Sequence, residues 1–360
     1  MAGSGTAHLR GGQQVLAVEN LTVEFGGGRW RKPVQAVTGI SFDIAEGETL
    51  GLVGESGCGK STTGRAILQL QKKVAGRIEF EGVDLDHASR RETRQMRRHM
   101  QTVFQDARSS FNPRRSIARS LEEPLKVWGV ADKAERGRLL AAALRGVGIN
   151  EHTNLDRRPS QFSGGQCQRL SIARALLMEP RLIICDEVVS ALDVSIQAQI
   201  INLLLDLRAS RGLSLLFISH DLAVVKNVSD RVAVMYMGKL CEIAPADDLY
   251  AQAAHPYTNV LLDAVPEPDP NIVPRVSEAR ESGNQMVSLR EPPSGCRFRL
   301  RCPAAQRVCA ELEPQVREVN AGHFVACHFP THRTSDAPKV EASPHSRASD
   351  SVVRTPVLER

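Results

Sequence analysis

A short glycine-rich stretch has the composition and spacing needed to bind phosphate groups. It fits the pattern G-x-x-x-x-G-K-[ST], in which backbone N–H groups and a helix start surround phosphate oxygens. Lys60 is spaced to reach the β- and γ-phosphates of a nucleotide, and the Ser61 hydroxyl to bind Mg²⁺. The sequence therefore predicts a nucleoside triphosphate site with Mg²⁺. With the residue that follows it, this phosphate-binding loop consists of Gly54, Glu55, Ser56, Gly57, Cys58, Gly59, Lys60, Ser61 and Thr62.

A second anion-binding pattern precedes another predicted helix. It consists of Phe162, Ser163, Gly164, Gly165 and Gln166. Small residues lead into the helix start, where free N–H groups attract negative charge. One domain does not need two such sites for one γ-phosphate. We therefore predict that the second segment contacts a nucleotide held by another subunit.

Alternating strand and helix patterns surround these two segments. The alternation predicts a layered α/β domain with a mainly parallel sheet. The predicted strands cover 15–25, 34–44, 49–53, 77–86, 182–185, 213–219, 232–237 and 239–243. The predicted helices cover 62–70, 132–148, 166–178 and 196–211.

Composition narrows the function classes. A net charge of +5 on 360 residues is too small to argue for nucleic acid binding. No apolar run reaches the roughly 18 residues of a membrane helix, and residues 1–12 lack the apolar core of a signal peptide. We therefore expect a soluble cytoplasmic protein whose membrane role, if any, depends on a partner.

The order of the motifs resembles that of the ATP-binding cassette (ABC) family. Residues 162–166 resemble the family signature, with Phe162 in the usual leucine position, and residues 182–187 resemble Walker B. Residues 190–193 match the D-loop, Gln105 the Q-loop and His220 the switch histidine. The resemblance implies a P-loop ABC-type nucleotide-binding domain with a parallel core sheet, an antiparallel β subdomain and a helical subdomain.

The resemblance also implies a role for each residue of the site. Mg²⁺ is held by Ser61, Gln105 and Asp186, partly through water. Glu187 acts as general base on the attacking water. His220 bonds the γ-phosphate and senses its loss, while Lys60 stabilises its charge.

The resemblance also implies an aromatic residue that stacks on adenine, and the sequence differs from the family pattern at two positions. Phe25 is the candidate stacking ring, with a plain core phenylalanine as the alternative and Trp30 as the second candidate. Val188 replaces the usual proline after the Walker B glutamate, and Ala107 the proline after the Q-loop. We expect these departures to slow hydrolysis at most.

Further strings resemble the ATPases of oligopeptide/dipeptide importers, and most closely the second of their two paired ATPase subunits. They are residues 112–114, 190–195 and 255–258, followed by an extension with four cysteines. The resemblance implies a heterodimer with a second ABC ATPase, two membrane permeases and an extracytoplasmic substrate-binding protein. It also implies that the chain lies on the cytoplasmic face of the inner membrane and is the ATP-hydrolysing subunit that powers peptide import. Two alternatives stay open: another cargo, such as nickel or another small solute, and a soluble ABC ATPase.

The extension contains Cys296, Cys302, Cys309 and Cys327 without any C-x-x-C pair. Four thiolates could hold a [4Fe–4S] cluster, which the resemblance favours, with zinc and no metal as the alternatives. His323 and His328 lie on either side of Cys327 and could replace a cysteine ligand, but we interpret both as polar loop residues.

The predicted domain division follows these assignments. Residues 14–262 form the ABC domain, with its helical subdomain at about 106–180, and residues 263–331 form the extension. Residues 332–360 are predicted to be a disordered tail. The arginine-rich segment 89–98 is interpreted as a solvated helix face, in preference to a contact with a permease or with lipid.

Overall fold

The computed structural model describes residues 5–12, 14–27, 32–150, 153–265 and 289–331. Two sheets form the frame of this part of the chain. The strands are β1 (Gln14–Phe25), β2 (Val34–Ala45), β3 (Thr49–Val53), β4 (Ala75–Phe80), β5 (Val83–Asp84), β6 (Met100–Val103), β7 (Leu182–Asp186), β8 (Ser214–Ser219), β9 (Arg231–Tyr236), β10 (Lys239–Pro245), β11 (Arg317–Asn320) and β12 (His323–Val325).

Ten α-helices accompany the strands in the described ranges. They are α1 (Lys60–Ile67), α2 (Arg90–His99), α3 (Ile117–Val127), α4 (Lys133–Gly146), α5 (Gly164–Leu176), α6 (Val194–Arg211), α7 (Leu222–Val228), α8 (Ala246–Gln252), α9 (Pro256–Asp263) and α10 (Val308–Glu311). Helices α3, α4 and α5 pack against one another and form the helical region. None of the described helices is long and apolar enough to cross a bilayer.

The larger sheet has the order β11-β12-β10-β9-β3-β8-β7-β6. Its central strands β9, β3, β8, β7 and β6 are all parallel. Every residue of β3, β7 and β8 is buried, which explains their continuous apolar composition. Because these strands are parallel, the residues that follow them meet at one edge of the sheet.

Alternation along the central strands supplies two cores. Ile183 and Cys185 of β7 pack into the core shared with the helical region. Leu182 and Ile184 face the opposite way, toward the core shared with the smaller sheet. That smaller sheet is antiparallel, with the order β2-β1-β4-β5. The predicted parallel core and antiparallel β subdomain are thus both present.

The extension joins the larger sheet. Strand β12 pairs antiparallel with β10, placing Val325 opposite Glu242, and β11 continues the sheet beyond it. Glu242 is buried, and its carboxylate accepts hydrogen bonds from the N–H groups of Ala254 (2.7 Å) and His255 (3.0 Å). The ring of His323 lies 2.6 Å from the same carboxylate and is fully buried, so the prediction that His323 is a loop residue was wrong.

The arginine-rich segment is helix α2, which begins at a capping box made by Ser89 and Glu92. Its arginines are exposed, as interpreted from the sequence. Two of them, Arg94 and Arg98, also lie over the ring of Trp128, at 5.2 and 5.9 Å from its centroid. These contacts are intramolecular. The predicted tail 332–360 and residues 266–288 of the predicted extension lie outside the described residues.

Candidate nucleotide-binding site

The phosphate-binding loop connects β3 to α1 and depends on its glycines. Gly54, Gly57 and Gly59 have φ angles of 150°, 78° and 109°. A Cβ on Gly54 would lie 2.1 Å from the carbonyl oxygen of Met235, and one on Gly59 would lie 2.2 Å from that of Ala36. Only glycine therefore fits at these two positions.

Lys60 is folded back over this loop. Its side chain is buried, and Nζ donates hydrogen bonds to the carbonyl oxygens of Gly54 (2.7 Å) and Glu55 (3.1 Å). The ammonium group thus lies within the loop, where a phosphate could replace the two carbonyl partners.

Two of the three predicted magnesium ligands are neighbours. The Ser61 hydroxyl donates to Oδ1 of Asp186 at 2.7 Å, which joins the start of α1 to the end of β7. Burial raises the pKa of Asp186 in this environment, and the Ser61 hydrogen bond partly opposes that shift. A hydroxyl and a carboxylate are hard oxygen ligands that suit Mg²⁺.

The third predicted ligand, Gln105, makes a different contact. Its Nε2 donates to the hydroxyl oxygen of Ser190 at 3.1 Å. The Ser190 hydroxyl in turn donates to the carbonyl oxygen of Glu187 at 2.9 Å. Gln105 is therefore connected to the backbone of Glu187, a link that the sequence motifs did not predict.

Glu187 occupies an unusual backbone conformation directly after β7. Its φ angle is 51°, in the left-handed region, and its N–H donates to the carbonyl oxygen of Ile218 at 3.0 Å. Its Oε1 lies 3.4 Å from Nδ1 of His220, which follows β8. Strand ends β7 and β8 thus bring the predicted base and the predicted sensor together. Half of the His220 side chain (51%) is exposed, against 16% for Glu187.

The signature segment forms the start of α5. Ser163 and Gln166 make a capping box: the Gln166 N–H donates to the Ser163 hydroxyl (3.2 Å), and the Ser163 N–H to Oε1 of Gln166 (3.0 Å). Ser163, Gly164 and Gln166 are exposed, whereas Phe162 and Gly165 are buried. The polar side of this helix start is therefore accessible to another molecule.

The predicted adenine-stacking ring has the exposure its role needs. Phe25 ends β1 and is 38% exposed, so it is not a plain core residue. Trp30, the second candidate, lies outside the described residues.

The four cysteines of the extension line one small cavity together with Phe298 and His255. Burial raises the pKa of Cys296 to about 11 and that of Cys327 to about 12, so these two thiols are neutral at pH 7 when they bind no metal. Across the described residues, however, no group of three or more His, Cys, Asp or Glu side chains is arranged to hold a metal ion. The predicted cluster site is therefore not confirmed.

Comparisons with known proteins agree with the geometry of the nucleotide site. Residues 37–190 match the family described as ABC transporter, and residues 241–309 match the oligopeptide/dipeptide transporter C-terminal region. A putative peptide import ATP-binding protein of Brucella ovis is 52% identical over 288 residues, covering 80% of this chain and 90% of the relative. The chain belongs to the ABC transporter family.

Further similarities support the same family and its oligopeptide/dipeptide branch. The oligopeptide transport ATP-binding protein OppF of Salmonella typhimurium is 47% identical over 322 residues, covering 87% of this chain and 95% of the relative. Among solved structures, the dimeric ATP-binding cassette MJ0796 bound to ADP and Pi matches with a TM-score of 0.58. That match is 27% identical and covers 64% of this chain and 98% of the cassette. The chain is thus an ABC ATPase.

The sequence analysis did not predict two contacts between the C-terminal part of the chain and the phosphate-binding loop. The hydroxyl of Tyr257 accepts a hydrogen bond from the Glu55 N–H at 2.9 Å. Arg301 forms an ion pair with the Glu55 carboxylate. Tyr257 belongs to the family string 255–258, which does not indicate this contact, and no local sequence pattern marks Arg301.

Proposed function

We propose that this chain is the ATP-hydrolysing subunit that powers a peptide importer. The observation that carries the proposal is the convergence of Lys60, Asp186, Glu187 and His220 at one sheet edge, in a chain with an oligopeptide-transporter C-terminal region. Relatives named as peptide or oligopeptide transport proteins support the cargo class. The cargo itself is selected outside this subunit.

The site residues take the roles that their geometry allows. Lys60 neutralises the β- and γ-phosphates, and the backbone N–H groups of the phosphate-binding loop surround them. Mg²⁺, when bound, neutralises phosphate charge, and Ser61 and Asp186 would hold it. Gln105 would approach this pair only after leaving its hydrogen bond to Ser190.

Glu187 polarises the attacking water, and its carboxylate lies beside His220. The backbone hydrogen bonds to Ile218 and Ser190 hold Glu187 although valine, not proline, follows it. His220 would bond the γ-phosphate and report its loss. Phe25 would stack on adenine.

The exposed start of α5 completes a nucleotide site on a second cassette. In this arrangement two cassettes face head to tail, and ATP on one phosphate-binding loop is bonded by Ser163, Gly164, Gly165 and Gln166 of the other. Changing a closed fraction from 1% to 99% needs about 5.5 kcal/mol of differential affinity. Several charge-assisted hydrogen bonds of about 1.5–3 kcal/mol each reach that value. The dimeric state of the similar MJ0796 cassette supports this arrangement.

The partners follow from the family. We propose a heterodimer with a second ABC ATPase, docked on two permeases, with an extracytoplasmic binding protein that delivers the peptide. The chain would then lie at the cytoplasmic face of the inner membrane. We propose that residues 14–262 and 263–331 form two domains, which are joined by the pairing of β12 with β10 across their boundary.

We further propose that the extension binds an iron–sulfur cluster. The convergence of Cys296, Cys302, Cys309 and Cys327 on one cavity supports it. Cys296 and Cys327 would have to lose their protons, and the four side chains would have to rearrange, since they are not spaced for a metal in this structure. Iron and sulfide analysis of anaerobically purified protein tests the proposal. Stoichiometric iron in the unaltered chain and its loss in Cys302→Ser are expected, whereas zinc or no metal would contradict it.

Purification of the intact complex from membranes tests the importer function. We expect the chain to copurify with two permeases and a second ATPase, and the associated binding protein to carry peptides. If the binding protein carries nickel or another small solute, the chain still powers an importer, but the transported substrate is not a peptide. Recovery of the chain without any membrane protein would favour a soluble ABC ATPase instead.

A further inference from the structure

The first turn of the phosphate-binding loop is held by residues of the C-terminal part of the chain. One guanidinium nitrogen of Arg301 lies 2.9 and 3.0 Å from the two carboxylate oxygens of Glu55. The Glu55 N–H donates to the Tyr257 hydroxyl oxygen at 2.9 Å. Both the side chain and the backbone of the residue after Gly54 are therefore fixed from outside the loop.

Arg301 is itself held in place by aromatic rings. Its guanidinium carbon lies 5.8 Å from the ring centroids of both Tyr236 and Phe298. Phe298 is buried and meets Tyr236 edge-on, at 5.3 Å between centroids. These cation–π contacts restrict the arginine side chain, so its pairing with Glu55 loses less entropy than a pairing between two mobile surface chains.

A second connection runs from the same segment to the other end of the phosphate-binding loop. Arg297 is buried and donates to the carbonyl oxygen of Met237 and to the Thr38 hydroxyl oxygen, the latter at 3.0 Å. The next residue along, Gly238, donates its N–H to the carbonyl oxygen of Cys58 at 2.8 Å. The loop is thus held near its start by Arg301 and near its end by the turn that Arg297 binds.

A glycine-rich loop gains most from such contacts, because its free backbone samples many conformations. Ordering the loop before the nucleotide arrives reduces the entropy lost on binding. We propose that Arg301 is a positioning residue of the ATP site, which acts through Glu55 to keep the phosphate-binding loop in its binding conformation. This inference rests on the proposed ATP-binding function.

Equilibrium titration of the full-length chain with Mg-ATP tests the inference. We expect Arg301→Gln to raise the Kd about fivefold, the upper range for a partly exposed ion pair. In the assembled complex, the kcat at saturating ATP should match that of the unaltered complex, because Arg301 does not contact the reacting atoms. Arg307→Gln is the matched control: this arginine of the same segment is 92% exposed and pairs with Glu311, so its Kd should not change.

Three further variants separate positioning from a general loss of stability. Glu55→Gln should raise the Kd as Arg301→Gln does, and the double variant should be no weaker than either single variant. Arg301→Lys should give an intermediate Kd, because lysine keeps the charge but not the planar contact with the rings. Additive effects of the two single substitutions would contradict the inference.

Four further outcomes of these measurements distinguish the inference from a purely stabilising role of the ion pair and from failure of the proposed function. If Arg301→Gln lowers the thermal midpoint but leaves the Kd for ATP unchanged, the ion pair only stabilises the fold and the inference is wrong. An equal rise of the Kd in Arg307→Gln would likewise overturn it. If the unaltered chain fails to bind ATP, the proposed function fails together with the inference. If it binds ATP normally and only the Arg301 effect is absent, the proposed function stands alone.

Discussion

Individual residues of the site are positioned by backbone contacts that no motif describes. Glu187 adopts a left-handed φ angle of 51° and is fixed by hydrogen bonds to Ile218 and Ser190. Ser190 also accepts a hydrogen bond from Gln105. The predicted general base and the predicted metal ligand are thus connected through one hydroxyl group, so we expect Ser190 to influence the geometry of hydrolysis.

Glu187→Gln should abolish turnover while ATP binding persists. Glutamine keeps the size of the side chain but cannot accept a proton from water, so we expect kcat to fall by at least about 100-fold. The Kd for ATP should stay within about twofold, because Lys60 and the loop backbone are unaltered. Single-turnover hydrolysis and ATP titration measure the two quantities. Hydrolysis close to the normal rate would remove Glu187 from its proposed role.

Ser190→Ala should slow hydrolysis without preventing it. The hydrogen bond from the Ser190 hydroxyl to the Glu187 carbonyl oxygen contributes about 0.5–1.5 kcal/mol, so its loss corresponds to a roughly twofold to tenfold lower kcat. Steady-state ATPase assays measure the change. Ser190→Thr keeps the hydroxyl and serves as the control, with a kcat close to that of the unaltered chain. Equal losses in both variants would show that the hydroxyl is not the relevant group.

The strands and helices that position the site residues at one sheet edge differ in how well the sequence predicts them. Strands β3, β7 and β8 were predicted to within about one residue, because their buried apolar runs leave few alternatives. Helix α3 was not predicted; Pro124 interrupts its sequence pattern. Strands β11 and β12 were missed because they are short, and β11 is also largely exposed and polar.

Helix α9 supplies a pH-dependent part of the stability. The neutral Nδ1 of His255 accepts the Tyr257 N–H at 3.0 Å and caps the helix. Burial lowers the pKa of His255 from 6.5 to about 4, although Glu242 opposes the shift. Between pH 6.5 and about 4, His255 therefore binds a proton in the unfolded chain but not in the native chain. Stability from this group is complete above pH 6.5 and is lost as the pH falls toward 4, by about 1.4 kcal/mol per pH unit at most.

Urea unfolding at pH 7 and pH 5 measures this contribution. His255→Asn keeps a capping side chain but does not titrate, so its free energy of unfolding should fall less between the two pH values than that of the unaltered chain. Other titrating groups affect both proteins alike and cancel in the comparison. Equal losses in the two proteins would contradict the role assigned to His255.

Within the described residues, the extension and the ATPase part are more closely connected than the sequence suggests. The extension adds two strands to the larger sheet, buries His323 against Glu242 and reaches the phosphate-binding loop through Arg301. Glu55 and Arg301 are 246 residues apart in sequence, so local periodicity could not predict their contact. The motifs gave the residue types of the site because their spacing is local. The motifs did not predict the contacts, distant in sequence, that hold the site residues in place.

Removal of the extension should therefore destabilise the ATPase part. Ending the chain after residue 265 would expose the edge of β10 and leave Glu242 without His323. We expect a lower thermal midpoint and aggregation. Ending the chain after residue 331 is the control and should leave the midpoint unchanged, since residues 332–360 contain few apolar side chains to bury. Equal midpoints for the two truncated chains would show that the extension is an independent unit.

The central claim is that each nucleotide is bound between two cassettes. An experimental structure of the ATP-bound complex containing Glu187→Gln tests it most directly, through the distance from Ser163 Oγ of this chain to the γ-phosphate bound by the facing cassette. We predict a hydrogen-bond distance of about 3 Å. A Ser163 side chain left in solvent, with the triphosphate contacted by one cassette alone, would contradict the claim.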